Sequence, residues 1–233
     1  DDYYTKKVLK EASCLKAISK YGVGLDRIDL DYAKKKKIKV TNCPGINQKS
    51  VAEHILALLF TFEKNIHLQH NYTQNKKWER SIGREIGGKT IGILGLGSVG
   101  KELAKKSLSL DLDVVGYDIF IKKNPFKGNE NFRQTNKIED LFDSSDYISL
   151  NLPLNKTTSK IVNDRILLEK TKKVPLIINT SRGGLVDSSA IINALKQKKI
   201  RGYLTDVLEN EPIELKEELL GIENIIITPH IGS

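Results

Sequence analysis

The sequence contains no methionine, only two cysteines and no long apolar run. Two cysteines are too few for a disulfide framework, so Cys14 and Cys43 are expected to be reduced thiols. The densest apolar run, residues 55–60, is far shorter than the roughly 18 residues of a membrane span, and no membrane partner is expected. Because no secretion signal opens the chain, a cytoplasmic location is expected. The missing methionine predicts either a piece of a longer polypeptide or a sequence that lacks modified methionines.

Acidic residues are in the minority, since 38 lysines and arginines accompany 29 aspartates and glutamates and give a formal charge of +9. Such an excess can attract nucleic acid or anionic metabolites. The lysines, however, occur in short runs along the whole chain and form no stripe interleaved with aromatic residues, which make up only 6%. We therefore interpret the charge as a solvated surface and expect no nucleic-acid partner.

Short β-rich runs alternate with helical patterns, which is typical of parallel βαβ architecture. Near the start of the chain the pattern predicts strands at 15–19 and 38–41 and a helix at 26–36. Further on it predicts strands at 90–94, 113–117, 147–150, 176–179, 203–207 and 225–228, and helices at 99–110 and 188–198, the second capped by Asp187. Continuous apolar strands are buried on both faces, so the sequence predicts an α/β fold with a Rossmann-type doubly wound parallel sheet.

A longer helical pattern lies between these two regions. Ser50 and Glu53 have the spacing of a capping box. Apolar residues then recur with a period of about 3.6 and predict one helix that runs to about Gln69. A helix of that length could bridge two domains or form a dimer face.

A glycine-rich turn follows the strand predicted at 90–94. Gly95-Leu96-Gly97-Ser98-Val99-Gly100 has the G-x-G-x-x-G pattern and opens a helix, as dinucleotide binding requires. The first glycine permits a tight turn, the second admits a diphosphate, and the third lets the helix pack on the strand. The free N–H groups of the helix N-terminus would then face the phosphates. A glycine-rich turn without a ligand is the alternative interpretation.

Asp118 ends the second strand of this region, where an acidic side chain can accept hydrogen bonds from a ribose 2′-hydroxyl. A carboxylate there repels a 2′-phosphate, and Ile119 and Phe120 follow it. The sequence therefore predicts NAD rather than NADP, although Lys122 and Lys123 lie nearby.

Three polar residues follow consecutive predicted strands, where doubly wound sheets place their ligands. Arg182 could hold a carboxylate through its planar guanidinium. His230 could donate a proton to a carbonyl oxygen, and Glu211 could favour the charged imidazole. Each residue alone could be an ordinary surface or structural group, but their joint placement beside a dinucleotide turn predicts reduction of a 2-oxo acid. The other histidines, His54, His67 and His70, are interpreted as structural.

These residues belong to motifs through which the sequence resembles the D-isomer-specific 2-hydroxyacid dehydrogenases over essentially its whole length. Phosphoglycerate dehydrogenase, glyoxylate and hydroxypyruvate reductases and D-lactate dehydrogenase belong to that family. Besides the glycine turn, the motifs cover residues 20–26, 42–45, 50–53, 152–154, 179–184, 206–207, 211–212 and 228–230. The sequence departs from the family at Arg27, often asparagine, and at Asn151, often histidine.

The resemblance implies a role for individual residues. Arg182 would bind the substrate carboxylate, His230 would be the acid and base, and Glu211 would orient it and keep it charged. Backbone amides of Val23 and Gly24 would also meet the substrate carboxylate. NAD would contact Asp206 through its nicotinamide carboxamide, and further cofactor contacts are expected at Ser98, Val99, Pro153, Thr180 and Ser181. No metal is expected.

The resemblance also implies a domain plan. Residues 1–47 would form part of a flavodoxin-like substrate-binding domain, residues 48–229 an NAD-binding Rossmann domain, and residues 230–233 the start of a return to the first domain. Family members usually continue beyond both ends of this sequence. A homodimer is expected.

The identity of the substrate is the finest expectation. D-3-phosphoglycerate is preferred, because residues 21–26 and 42–52 look most like the phosphoglycerate dehydrogenase branch, which serves serine biosynthesis. Hydroxypyruvate or glyoxylate comes next. A function of another class also stays open, a non-catalytic NAD-sensing module such as a corepressor of the same fold, because fold does not dictate function.

Overall fold

The computed structural model describes residues 3–121, 123–213 and 217–233. The chain divides into two compact units, Asp1–Gln48 and Lys49–Ser233. The domain boundaries expected after residues 47 and 229, and the function expected of each part, stay predictions.

The first unit contains two short helices and two parallel strands. Strands β1 (Ala17–Ser19) and β2 (Lys39–Thr41) pair along their length. Helices α1 (Lys6–Glu11) and α2 (Leu30–Lys35) contribute Leu9 and Ala33 to a small core that also contains Ile38. Helix α2 begins later than predicted, because the Asp29 carboxylate accepts the Tyr32 N–H at 2.9 Å and so caps the helix.

Two helices open the second unit in place of the single helix predicted to run to about Gln69. Helix α3 (Gln48–Glu63) ends before Asn65, which has a φ of 52°, and α4 (Ile66–Gln74) follows. The Glu63 carbonyl accepts the Arg84 N–H at 2.8 Å, so a tertiary contact ends the helix. Asparagine is one of the few residues that tolerate the left-handed backbone.

The capping box was also a wrong prediction. Ser50 lies inside the first turn of α3 rather than before it. Its hydroxyl donates to the carbonyl oxygen of Gly232 at 3.1 Å, and Glu53 forms an ion pair with Lys106 at 2.8 Å. Both side chains therefore make tertiary contacts instead of capping the helix.

A seven-stranded parallel sheet forms the body of the second unit, in the order β5-β4-β3-β6-β7-β8-β9. Its strands are β3 (Thr90–Leu94), β4 (Asp113–Tyr117), β5 (Phe132–Thr135), β6 (Tyr147–Leu150), β7 (Leu176–Asn179), β8 (Gly202–Thr205) and β9 (Ile225–Ile227). The connecting helices are α5 (Ser98–Leu108), α6 (Ile138–Ser144) and α7 (Ser188–Lys196), with a π-helical turn at Arg165–Glu169 and a 3-10 turn at Gly183–Leu185. The predicted Rossmann-type doubly wound sheet is confirmed.

Apolar side chains cover both faces of this sheet. On one face, Ile55 of α3 and Leu103 of α5 pack in the core cluster that includes Ile91. On the other face, Phe142 of α6 packs in a cluster with Ile148. The strand order reverses at β3, so a crevice opens at the carboxyl ends of β3 and β6, where such sheets bind their ligands.

Candidate active site

The glycine turn lies at this crevice, between β3 and α5. Gly95 has a φ of +100°, and a Cβ there would lie 2.3 Å from the carbonyl oxygen of Asn151. A Cβ on Gly100 would lie 2.0 Å from the carbonyl oxygen of Gly95, so α5 can pack this closely only without a side chain. Both positions therefore require glycine for the fold itself.

Gly97 differs from both of these glycines. Apart from the adjoining residues of the chain, a Cβ there would have no heavy atom of the described residues within 4 Å. Gly97 is also the N-cap of α5, and it has no side chain to cap the N–H groups of the first turn, which Ser98 and Val99 begin. Open space beside uncapped N–H groups is the arrangement that a diphosphate needs.

Asp118 lies beside the turn, after β4. Its Oδ2 accepts the Leu96 N–H at 2.8 Å, and its Oδ1 accepts the N–H groups of Phe120 at 2.8 Å and Ile121 at 3.2 Å. The carboxylate is thereby fixed next to the turn, and its remaining lone pairs are suited to ribose hydroxyls. Lys122 lies outside the described residues.

Polar side chains with unused hydrogen-bonding atoms follow β6 and β7. Among the described residues, no partner hydrogen-bonds the buried Asn151 Oδ1 or Thr180 Oγ1. Both residues come directly after paired strand ends, because Leu150 pairs with Asn179 in the register of β6 and β7. A buried polar atom left unpaired costs about 1–3 kcal/mol, which a ligand hydroxyl or amide can offset. The residues present therefore fit a dinucleotide.

Two further residues expected to contact the cofactor, Pro153 and Ser181, lie in the same loops. Ser181 donates through Oγ to the Leu150 carbonyl oxygen at 2.8 Å and through its N–H to Asn179 Oδ1 at 3.1 Å. Pro153 is exposed, and its carbonyl oxygen accepts the Thr158 hydroxyl at 2.6 Å. The two loops after β6 and β7 are thus tied together at the crevice.

His230 and Glu211 form a direct pair. His230 Nδ1 lies 2.8 Å from Glu211 Oε2, while Glu211 Oε1 accepts the Leu208 N–H at 3.0 Å. The His230 side chain is 40% exposed, so the ring is accessible to a ligand. With Nδ1 engaged by the carboxylate, Nε2 is the nitrogen that can exchange a proton with a substrate.

Arg182 lies in the neighbouring loop, after β7. Its carbonyl oxygen accepts the Asn179 side-chain amide at 2.9 Å, and that amide also contacts the Tyr203 hydroxyl at 3.3 Å. Burial raises the pKa of Tyr203, so its hydroxyl stays protonated. A Cβ on Gly183 would lie 2.0 Å from the carbonyl carbon of Leu208, so the Arg182 loop packs directly on the loop that ends at Glu211.

Asp206 is buried, and its carboxylate is hydrogen-bonded within the protein. It is 2% exposed, and its carboxylate accepts the N–H groups of Ile231 at 3.0 Å and Gly232 at 2.8 Å and the Thr228 hydroxyl at 2.5 Å. His54, interpreted from the sequence as structural, lies 3.4 Å away through Nε2. The expected contact of Asp206 with the nicotinamide carboxamide stays a prediction. The sequence alone does not show that His54 lies close to Asp206.

Val23 and Gly24 belong to the first unit. The Val23 carbonyl oxygen accepts the Asn42 side-chain amide at 2.7 Å, which fixes the loop locally, and Val23 is 39% exposed. Their contact with a substrate stays a prediction.

The described residues contain neither a metal-binding cluster nor a membrane-spanning helix. In this part of the chain, no group of three or more histidine, cysteine, aspartate or glutamate residues could hold a metal ion. None of the helices in the described ranges has the length and apolarity to cross a membrane.

Comparison with known proteins gives consistent matches. The family model of the D-isomer specific 2-hydroxyacid dehydrogenase NAD-binding domain matches residues 56–232. A hydroxypyruvate reductase of Thermotoga maritima is 36% identical over 98% of this chain and 74% of its own length. A D-3-phosphoglycerate dehydrogenase of Archaeoglobus fulgidus is also 36% identical, over 97% of this chain but only 43% of its own length. The crystal structure of Aquifex aeolicus D-lactate dehydrogenase with NAD and lactic acid superposes with a TM-score of 0.86 at 32% identity, covering 98% of this chain and 73% of the other.

Proposed function

The chain belongs to the D-isomer specific 2-hydroxyacid dehydrogenase family and has its NAD-binding domain, and from this premise we propose that it interconverts a D-2-hydroxy acid and the matching 2-oxo acid. The observation that carries the proposal is the 2.8 Å pair of His230 and Glu211 in the same unit as the dinucleotide turn. The chain spans 74% of the hydroxypyruvate reductase and 43% of the phosphoglycerate dehydrogenase it matches, so the activity is proposed for the whole protein.

The dinucleotide would be held by the open face of Gly97, the uncapped start of α5, the Asp118 carboxylate and the unpaired polar atoms of Asn151 and Thr180. When bound, NADH supplies the hydride for the substrate carbon. NAD rather than NADP is proposed, because the Asp118 carboxylate repels a 2′-phosphate.

The chain's own residues supply the proton and hold the substrate. In reduction, protonated His230 donates the Nε2 proton to the carbonyl oxygen, and Glu211 stabilises the imidazolium through Nδ1. Arg182 binds the substrate carboxylate through its guanidinium. A contact of the Val23 and Gly24 backbone amides with the substrate stays the expectation that the family resemblance implies. In oxidation, neutral His230 accepts the hydroxyl proton.

D-3-phosphoglycerate is the proposed substrate, on the pattern of residues 21–26 and 42–52. Hydroxypyruvate or glyoxylate is the second candidate, because relatives with the names hydroxypyruvate reductase and glyoxylate reductase are 36% and 35% identical to this chain. Both substrates present a carboxylate and a reacting carbon to the same residues.

Turnover measurements test the proposal. The protein is assayed for NADH oxidation with hydroxypyruvate and with glyoxylate, and for NAD reduction with D-3-phosphoglycerate. His230→Ala should lower kcat by about 100-fold or more while leaving the Kd for NADH unchanged, since His230 acts on the substrate proton. The control is Lys172→Ala, because Lys172 is 86% exposed and lies before β7, at the end of the sheet opposite to the crevice.

Two outcomes contradict the enzyme assignment. Normal NADH binding without turnover of any of these acids would favour the non-catalytic NAD-sensing module. Full activity of the His230→Ala variant would remove His230 from the chemistry.

We further propose that the protein is a homodimer through the exposed apolar residues of its second unit. Trp78 is 79% exposed, Ile82 97% and Ile66 52%; Ile66 begins α4, and the other two lie in the segment that follows it. Ser81 Oγ accepts the side-chain amides of Asn65 at 3.1 Å and Gln69 at 2.9 Å, so the segment that leads to Ile82 lies along the start of α4. Large exposed apolar side chains on one such element are typical of a contact surface. The molar mass measured by sedimentation tests this proposal, and a monomer at all concentrations would refute it.

A further inference from the structure

Three polar side chains from separate elements of the second unit meet beside residues 228–232, the segment that carries His230. His54 comes from α3, Asp206 follows β8 and Thr228 follows β9. His54 Nε2 lies 3.0 Å from Thr228 Oγ1, and Thr228 Oγ1 lies 2.5 Å from Asp206 Oδ1. We call these residues the His54–Thr228–Asp206 cluster.

The donors in this cluster can be assigned from hydrogen-bond capacity. The Asp206 carboxylate is an acceptor, which also takes the N–H groups of Ile231 and Gly232. The single proton of the Thr228 hydroxyl therefore goes to Asp206. Thr228 Oγ1 is left as the acceptor for His54, so the His54 ring must carry its proton on Nε2.

The cluster fixes the backbone on both sides of His230. Thr228 precedes it, and the Ile231 and Gly232 N–H groups that follow it bind Asp206 at 3.0 and 2.8 Å. His54 also packs on this segment, since a Cβ on Gly232 would lie 3.2 Å from His54 Cδ2. His230 itself has a φ of 56°, a left-handed conformation that surrounding contacts must hold in place.

We propose that His54 is a positioning residue for His230. By donating its Nε2 proton to Thr228, it keeps that hydroxyl directed at Asp206 and so fixes the backbone of residues 228–232 that carries the acid–base imidazole. Glu211 orients the ring, while the cluster places the backbone from which the ring extends. This inference rests on the proposed dehydrogenase function.

Paired variants of two cluster residues test the proposal. His54→Leu and Thr228→Val remove the hydrogen bonds, whereas His54→Gln retains a donor and Thr228→Ser retains the hydroxyl. His54→Leu and Thr228→Val should lower kcat by about 10- to 100-fold, because a misplaced acid no longer reaches the substrate oxygen. The Kd for NADH should be unchanged, and the primary isotope effect with deuterated NADH should rise because chemistry becomes slower. His54→Gln and Thr228→Ser should restore most of the lost rate, and Lys172→Met, at an 86% exposed lysine before β7, is the surface control.

Hydrogen exchange of residues 228–232 gives a second readout that needs no turnover. The amides of Ile231 and Gly232 should exchange faster in His54→Leu and Thr228→Val than in the wild type, and close to the wild-type rate in His54→Gln. A purely structural role predicts instead that rate losses follow the melting temperature and that the Leu and Gln variants behave alike.

The outcomes separate this inference from the proposed function. Unchanged exchange in both His54→Leu and Thr228→Val overturns the positioning role whatever the activity. Faster exchange with an unchanged kcat also overturns it. A wild-type protein that turns over no 2-oxo acid refutes the proposed function and the positioning role with it, and the exchange data then still report whether the cluster fixes the segment.

Discussion

Replacing Gly97 with alanine should weaken cofactor binding without weakening the fold. The backbone at Gly97 has a φ of −66° and a ψ of −161°, at the edge of the extended region that is open to alanine. Apart from the adjoining residues of the chain, no heavy atom of the described residues lies within 4 Å of the new methyl group. Replacing a glycine by alanine stabilises a fold by about 0.4–1 kcal/mol, because the unfolded chain then has less conformational entropy to lose. Alanine is less favourable than glycine at an N-cap by a similar amount. The free energy of unfolding should therefore change little.

The effect on binding follows from the place of the methyl group. It would occupy the space beside the uncapped start of α5, where the diphosphate would lie. Forcing one extra methyl group into a close contact costs typically about 1–3 kcal/mol. The Kd for NADH should accordingly rise by about 5- to 150-fold.

Gly100→Ala is the matched comparison, because its methyl group would clash with the fold rather than with the ligand. The new Cβ would lie 2.0 Å from the Gly95 carbonyl oxygen and 3.2 Å from Ile93 Cγ2, so strand and helix must separate. We expect a loss of about 3 kcal/mol or more in the free energy of unfolding. Urea unfolding and a fluorescence titration with NADH measure both quantities for each variant. The reasoning fails if Gly97→Ala binds NADH as the wild type does, or if it is the less stable of the two.

Two further substitutions test the ribose site and the opposite end of the sheet. Asp118→Ala should weaken NAD more than NADP, because the carboxylate no longer repels a 2′-phosphate; an unchanged ratio of the two Kd values would exclude Asp118 from the ribose site. Arg201→Met should lower the free energy of unfolding by about 3 kcal/mol without changing the Kd for NADH, because it leaves the buried Glu63 carboxylate, now 2.6 Å from the guanidinium, unpaired. Lys172→Met, which removes an ion pair of an 86% exposed lysine with Asp143, is the control and should leave stability unchanged. Equal stability of the Arg201 and Lys172 variants would refute the account of the buried pair.

The parallel sheet could be predicted from the sequence because its central strands are buried on both faces. Residues such as Ile91, Ile148 and Ile177 are fully buried. Strands of this kind are nearly continuous apolar runs, whereas the helices have apolar residues only at every third or fourth position. The family and the NAD cofactor, predicted from the glycine turn and the motifs around it, are confirmed by the matching family model.

The edge strand β5 and the break between α3 and α4 could not be predicted from apolar patterns. Strand β5 was missed because it buries only Phe132 and Thr135 and contains the polar pair Arg133 and Gln134. The break near Asn65 was missed because apolar periodicity continues across it, while the contact of the Glu63 carbonyl with Arg84 is invisible in a local pattern.

The candidate site was predictable only where its residues follow strands. Arg182, Glu211 and His230 were selected by that rule, and the structure brings the last two within 2.8 Å. His54 was set aside as structural because it lies on a helix far from them in sequence. Only the folded chain shows its hydrogen bond with Thr228. The roles of the site residues in substrate and cofactor binding stay predictions.

The contiguity of the site residues has a consequence for the gene. The glycine turn, His230 and Glu211 all belong to the unit of residues 49–233. Under the proposed function, one uninterrupted coding segment therefore carries the groups assigned to cofactor binding and proton transfer. Exchanging that segment between relatives would transfer these groups together.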